Sequence, residues 1–416
     1  MLSIYRIIIN LITLISPLII IIRLVKKKED PKRFKEKFCY FSKKRTKGKL
    51  IWLHGASVGE ILSVIPLIEK FEKNKKIGQI LLTSNTLSSS KIISNFKFKK
   101  TIHQFLPIDT NYHSQKFLEY WKPSVATFID SEIWPNMITN IKKRNINLIL
   151  LNGRITDRSF KRWKIFSSSA KMLFQKFDAC FSSSLKSHNY LKSLGAKKVK
   201  YIGNLKFSQT EQNEELLDKK INNFFASKKI WSAASTHDTE EKVCAIVHKK
   251  LKIKYKNLVT IIIPRHIHRT NKIIDNLKNL NLKIHLHDSN KKIEKDTDIY
   301  LVNSFGKTKS FFKFCKIVFL GGSMIPHGGQ NPLEAARYGC KILHGPNIWN
   351  FLEIYSLLNN YKVSDKVKNI NQLSFKVEKM LNNKNSSKKI QLKIKEIGNK
   401  ILNSTLREIN VFINKS

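Results

Sequence analysis

The sequence predicts an α/β protein built of two Rossmann-like halves behind a single apolar helix, and three observations carry that expectation. The chain has 416 residues, too many for one ordinary core and enough for two α/β domains of roughly 170 to 200 residues each. Apolar, β-rich runs alternate with helical stretches, the βαβ rhythm of a parallel sheet. The rhythm breaks in the polar stretch Ser208 to Asn223 and then restarts.

The first element is Ile7 to Ile22, IIINLITLISPLIIII. At about 16 residues it covers roughly 24 Å of a hydrocarbon core about 30 Å thick. It spans only with local thinning, or with Arg6 and Arg23 lending their aliphatic stems. Lys26, Lys27, Lys28, Lys32 and Arg33 follow directly and mark the C-terminal side as cytoplasmic. A cleaved signal peptide calls for leading positive charge and a small-residue cleavage site after the run, and no such site follows. The expectation is an uncleaved membrane anchor over residues 1–28 that belongs to neither core.

After it, Leu50 to His54, Gln79 to Thr83, Val125 to Ile129, Leu148 to Asn152 and Ala179 to Ser182 read as strands of a first domain, residues 29–207. Ile230 to Ala234, Leu258 to Pro264, Ile299 to Val302, Ile317 to Leu320 and Lys341 to His344 read as strands of a second, residues 208–416. Asn382 to Lys388, rich in Asn, Ser and Lys, reads as a solvated loop before a last helix.

Lys and Arg number 77 against 30 Asp and Glu, a formal charge of +47. Such a balance suggests nucleic acid first. Yet the Lys surplus accompanies Ile and Asn along the whole length, and no face interleaves aromatic with basic residues as a nucleic-acid platform does. An anionic leaflet or a phosphorylated lipid suits the charge equally. The cysteines, Cys39, Cys180, Cys244, Cys315 and Cys340, form no close pair, so neither a zinc site nor a disulfide framework is expected.

Doubly wound sheets bind ligands beyond the carboxyl ends of their strands, and the polar residues of this chain collect there. In LIWLHGASVGE, Glu60 follows a strand and a glycine turn at the start of a helix. There the dipole favours an ionised carboxylate, either as a proton acceptor or as an ordinary first-turn acid. FIDSEIWPN sets Asp130 and Glu132 just past another strand, as catalytic acids or, for either alone, as structural residues beside a helix cap at Ser131 or Asp130. LNGRITDRS supplies Asn152, Arg154 and Arg158, and GNLKF supplies Lys206, cations suited to an anionic substrate. In the second half Ser235, Thr236 and His237 follow one strand and Arg265 and His266 another, a phosphate site without a P-loop. FLGGSMIPHGGQNPLEAA has glycines that let backbone approach a ligand, Gly322 among them, and Asn331, Pro332 and Glu334 in the order N-cap, N1 and N3. Glu334 can complete a capping box or accept hydrogen bonds from a ribose.

Taken in order, HGASVGE, LPID, DSEIWPN, NGRITDRS, GNLKF, ASTHDTEE, PRH and GGSMIPHGGQNPLEAA resemble the 3-deoxy-D-manno-octulosonic acid (Kdo) transferase family of lipopolysaccharide biosynthesis, from the anchor to about Tyr355. The resemblance implies a GT-B fold, two Rossmann-like domains facing a cleft, and an inverting, metal-independent transfer of Kdo from CMP-Kdo to a lipid A precursor, lipid IVA. It implies Glu60 as general base, an essential carboxylate at Asp130 or Glu132, and CMP contacts at Arg265, Asn331 and Glu334. Ser235, Thr236 and Gly322 belong by position to the same donor site, and Ser57, Arg154 and Lys206 to the acceptor side. Neither a cofactor nor a nucleic-acid partner is implied; anionic inner-membrane lipids are. The chain departs from the family pattern at Asp130, where Glu is usual, at Gly153, where Ala is usual, and at Asn303 and Lys307, where the family tends to carry acids. Two rivals are a membrane-tethered nucleic-acid-binding protein and a GT-B enzyme using a UDP-sugar; the anchor argues against a soluble epimerase of the second kind.

Overall fold

The structure is a computed structural model that describes residues 2–209, 217–382 and 387–415. Parts of the expected domain boundary, 210–216, and of the expected solvated loop, 383–386, lie outside the described residues. The chain forms two compact units, Met1–Thr210 with Ile397–Ser416, and Glu211–Glu396.

The first unit holds strands β1 Lys49–His54, β2 Ile77–Ser84, β3 Thr101–Phe105, β4 Val125–Ile129, β5 Asn147–Gly153, β6 Ala179–Ser182 and β7 Val199–Tyr201. They form one parallel sheet in the order β3-β2-β1-β4-β5-β6-β7. The second unit holds β8 Lys229–Thr236, β9 Leu258–Pro264, β10 Ile284–Leu286, β11 Ile299–Leu301, β12 Ile317–Leu320, β13 Lys341–His344 and β14 Ser364–Lys366. Its sheet is also parallel, ordered β10-β11-β9-β8-β12-β13-β14.

Interior strands are buried on both faces and therefore read as unbroken apolar runs. Leu50, Ile51, Trp52 and Leu53 of β1 are all fully covered, as are Val318 and Phe319 of β12. Helices begin on hydroxyl caps: Ser57, Thr86, Thr110, Thr156 and Ser184 each accept the backbone N–H three residues on. The Val58–Glu72 helix then turns Ile61, Val64, Ile65, Ile68 and Phe71 inward at helical spacing.

Two expectations change here. The Leu2–Val25 helix is among the described residues the one helix long and apolar enough to cross a membrane, but it is not independent of the core, because Ser16 and Ile20 are buried. The last helix, Ser387–Lys415, does not end inside the second unit, since Ile397–Ser416 clusters with the first. Its apolar residues explain why: Ile401, Ile409 and Ile413 are buried, and Lys49 Nζ donates to the Ile413 carbonyl at 2.9 Å.

Candidate functional site

In each sheet the strand order reverses once, between β1 and β4 in the first and between β8 and β12 in the second. Loops leaving neighbouring strands at such a point run to opposite sides and open a crevice at the carboxyl ends. Nearly every candidate residue lies in one of these two places.

At the first crevice Ser57 and Glu60 bond reciprocally. The Ser57 Oγ accepts from the Glu60 N–H at 3.4 Å and donates to Glu60 Oε1 at 2.8 Å, while Glu60 Oε2 accepts from the Ala56 N–H at 2.7 Å. Glu60 is thus a helix-capping acid. It is also more than that: burial raises its pKa, the Ser57 hydrogen bond lowers it, and the charges of Asp130 and Glu132 raise it further. The dipole alone predicted an easily ionised group. The structure instead makes Glu60 a better proton acceptor than an exposed glutamate.

Glu132 is held by a relay that begins in the core. Trp52 Nε1, a donor only, donates to Thr83 Oγ1 at 2.9 Å, and the same hydroxyl lies 2.9 Å from His54 Nδ1. His54 Nε2 lies 3.2 Å from Glu132 Oε2 and 3.2 Å from Trp134 Nε1, which also donates to Glu132 Oε2 at 2.9 Å. Asp130 is 6% exposed. It accepts a hydrogen bond from Asn152 Nδ2, and Lys206 Nζ lies 3.7 Å from its Oδ2. The Arg154 N–H donates to the Asp130 carbonyl and the Leu205 N–H to Asn152 Oδ1. Asp130 and Asn152 both take left-handed backbone, φ 58 and 55, and the β5–β6 register slips at Asn152. Strain of this kind persists where surrounding bonds impose it.

The second crevice is organised by a residue that sequence reasoning passed over. Glu240 is fully buried. Its Oε2 accepts the N–H groups of His237 at 3.0 Å and Gly322 at 2.7 Å, and its Oε1 those of Ser323 at 3.1 Å and Met324 at 3.0 Å. The glycine loop after β12 is therefore wrapped on one carboxylate. Gly321 cannot be replaced there, since a Cβ would lie 2.6 Å from Thr236 Cα. Ser235 marks a β8–β9 register slip with φ 55, the counterpart of Asn152. Thr236 is buried and donates its hydroxyl to Glu241 Oε1 at 2.9 Å. Arg269 donates through Nη1 to the same oxygen at 3.0 Å and through Nη2 to Glu241 Oε2 at 3.2 Å.

Around this loop sits a cluster of histidines and arginines. The His237 ring lies 4.2 Å from that of His327 and 5.7 Å from that of His266, which is itself 5.5 Å from His268. His266 is thus no isolated histidine. Burial first, then the charges of His327, His266, Arg269 and Arg265, hold the His237 pKa down to about 4. Arg265 is exposed rather than buried, with its N–H on the Thr236 carbonyl. Asn331 Oδ1 accepts the Leu333 N–H at 3.1 Å, so it caps the next helix although that helix begins one residue later than expected, at Leu333. Glu334 is half-buried in its first turn.

His54 and Glu240 are the functional residues missed. The signal for Glu240 was present, since it opens the helix after β8 much as Glu60 opens the one after β1.

Residues 32–209 match a family model described as 3-Deoxy-D-manno-octulosonic-acid transferase (kdotransferase). The chain is 34% identical over 402 residues to the 3-deoxy-D-manno-octulosonic acid transferase of Rickettsia bellii (strain RML369-C), covering 95% of each chain. It is 28% identical over 347 residues to the enzyme of the same name from Haemophilus influenzae, covering 82% of this chain and 81% of that one. Among solved structures it is similar to a putative UDP-N-acetylglucosamine 2-epimerase from Listeria monocytogenes, with TM-score 0.61 and 12% identity over 89% of this chain and 98% of that one. A glycosyltransferase from Rickettsia africae gives 0.56 and 13% over 89% and 100%. Those two likenesses speak for the fold, an α/β protein of GT-B type.

Proposed function

The chain belongs to the Kdo transferase family and is a glycosyltransferase, and from that premise we propose that it moves Kdo from CMP-Kdo to a hydroxyl of a lipid A precursor, lipid IVA, with inversion at the anomeric carbon. The reaction takes place at the cytoplasmic face of the inner membrane.

The observation that carries this reading is the chemical contrast between the two crevices. Glu60, Asp130 and Glu132 gather at the first, and His237, His266, His327, Arg265 and Arg269 at the second. A transfer from a sugar nucleotide needs both. As the acceptor oxygen bonds to the anomeric carbon, its proton passes to Glu60; the bond from that carbon to the CMP phosphate oxygen breaks and CMP leaves with the electron pair. Charge on the departing phosphate is met by Arg265, exposed after β9 close to His237, so neither a protein acid nor a metal is called for. Asn331 and Glu334 take the nucleoside. Glu132, fixed by His54 and Trp134, and Asp130, fixed by Asn152 and Lys206, shape the field that keeps Glu60 basic.

A lipid acceptor at the first unit is supported by the helix that follows Arg154. Ile165 and Phe166 are exposed there beside Arg158, Lys161, Arg162 and Lys164, which are exposed too. Apolar residues among cations suit an acyl chain under a phosphorylated sugar.

The test is to incubate the protein with CMP-Kdo and lipid IVA and weigh the lipid. A mass gain of one or more Kdo units, with inhibition by CMP and not by UDP, supports the reading; UDP competition with no gain overturns it.

A further inference from the structure

The Leu2–Val25 helix turns one face toward its own unit from end to end. Tyr5, Ile9, Thr13, Ser16, Ile20 and Leu24 recur every three or four residues and are all half-buried or buried. The opposite face, with Ile4, Leu11, Ile15, Leu18 and Ile22, is exposed. Part of the helix packs on the Pro135–Lys143 helix.

Both ends are tied by polar contacts. In the first turn the Tyr5 hydroxyl donates to Asp109 Oδ2 at 2.9 Å, and Arg6 donates to Asn136 Oδ1 at 2.9 Å and to Asn111 Oδ1 at 3.1 Å. In the last turn Arg23 donates to Glu29 Oε2 at 2.9 Å, and Glu29 also pairs with Lys37 at 2.8 Å. The helix has 24 residues, so its ends lie about 36 Å apart. A helix that crossed the bilayer would carry its first turn to the far side, away from Asp109 and Asn136. With both ends held by the globular unit, both are on one side of the membrane.

We infer that this helix lies in the plane of the membrane surface, its outer face sunk into an anionic bilayer, and does not cross it. The inference rests on the membrane reading proposed above. Residues 2–28 contain five cations, Arg6, Arg23, Lys26, Lys27 and Lys28, and no acid, in a chain of net charge +47, which complements anionic headgroups. In-plane helices usually have a charged face toward water. This one needs none, because the protein itself covers that face. The arrangement also reaches the first crevice: Asp109 accepts the Asn136 N–H at 3.0 Å and the Met137 N–H at 2.8 Å, so the turn that follows Glu132 hangs from the same carboxylate as Tyr5.

The test uses the full chain expressed in cells. The native cysteines are all buried, so a membrane-impermeant maleimide reads added ones. Ser3→Cys and Lys27→Cys should both label in inverted inner-membrane vesicles and neither in right-side-out spheroplasts. Labelling of Ser3→Cys from outside the spheroplast overturns the inference while leaving the membrane reading intact, and recovery of the protein in the soluble fraction overturns both. Nitroxides on Ile4→Cys, Leu11→Cys and Leu18→Cys, seven residues apart on the outer face, should report equal depth in vesicles containing phosphatidylglycerol. A depth that peaks at Leu11, or nitroxide coupling between copies with no contact to lipid, overturns it as well.

Discussion

Glu60 and Glu240 each lie in the first turn of the helix that follows β1 and β8, yet their surroundings give them opposite work. Glu240 faces only backbone donors, four of them, and has no acidic neighbour in its bonds. Glu240→Gln puts an amide N–H against donors it cannot accept from. The expected cost is roughly 2 to 3 kcal/mol of stability with weakened CMP binding, read by denaturant unfolding and CMP titration. Glu60 faces two like charges, so Glu60→Gln should cut kcat on the order of 10²-fold or more with CMP affinity unchanged. Its raised pKa fixes two signs. The base forms at higher pH than an ordinary glutamate, so the acid limb of kcat/KM lies above the usual carboxylate range and disappears in Glu60→Gln. Stability contributed by the protonated carboxyl is present at low pH and is lost as pH rises through the raised value, so the variant should melt no lower than the parent at pH 8. Near-normal turnover with a lowered Tm would rule Glu60 out as the base. Glu60 was legible because a carboxylate at a strand's carboxyl end has a chemical reading of its own; Glu240 carries the same local signal, but three of its four partners are backbone groups from 322–324, some 80 residues away, which only the fold brings to it.

Strands show the same divide. The ten interior strands were legible as apolar runs, and the four that were not, β3, β7, β10 and β14, are the four sheet edges. An edge strand pairs on one side only and need not be covered on both faces; Lys200 and Tyr201 of β7 and Lys366 of β14 are exposed, so no apolar run forms. For the N-terminal helix the sequence showed the composition and not the docked stripe, because Tyr5, Thr13 and Ser16 are too few to break an apolar run. Deleting residues 1–28 should leave a folded protein that no longer sediments with membranes at high salt. Its first unit should also be less stable by about 1 to 3 kcal/mol. Burial already pushes the Asp109 pKa up to about 7, and the deletion removes its Tyr5 partner. Unchanged stability in chemical denaturation would show that the stripe contributes nothing.

On the scale of the whole molecule, two sheets were expected and two are present, but the end of the chain was placed in the wrong one. Nothing local marks Ile397–Ser416 as belonging to the first unit; the assignment depends on contacts such as Gly398 against Phe207, whose sequence separation is large. A Cβ on Gly398 would stand 2.9 Å from the Phe207 carbonyl carbon and 3.0 Å from Ser208 Cα, backbone that cannot step aside. Gly398→Val should therefore cost the first unit roughly 1 to 3 kcal/mol and disturb Lys206, which lies next to Phe207 and 3.7 Å from Asp130. Calorimetry should show one transition moving down and the other staying.

The second unit is in effect an insertion in the first. A ribosome making this chain delivers the first sheet, then everything that Glu211–Glu396 needs, and only afterwards the helical residues that complete the first core. The unit begun first is finished last. Until then Gly203 and Phe207 face no Ile401 or Gly398, and the nascent first unit exposes the apolar seam on which Ile401, Ile409 and Ile413 will close. The Leu2–Val25 helix, by contrast, is made before the sheet of the unit it packs on.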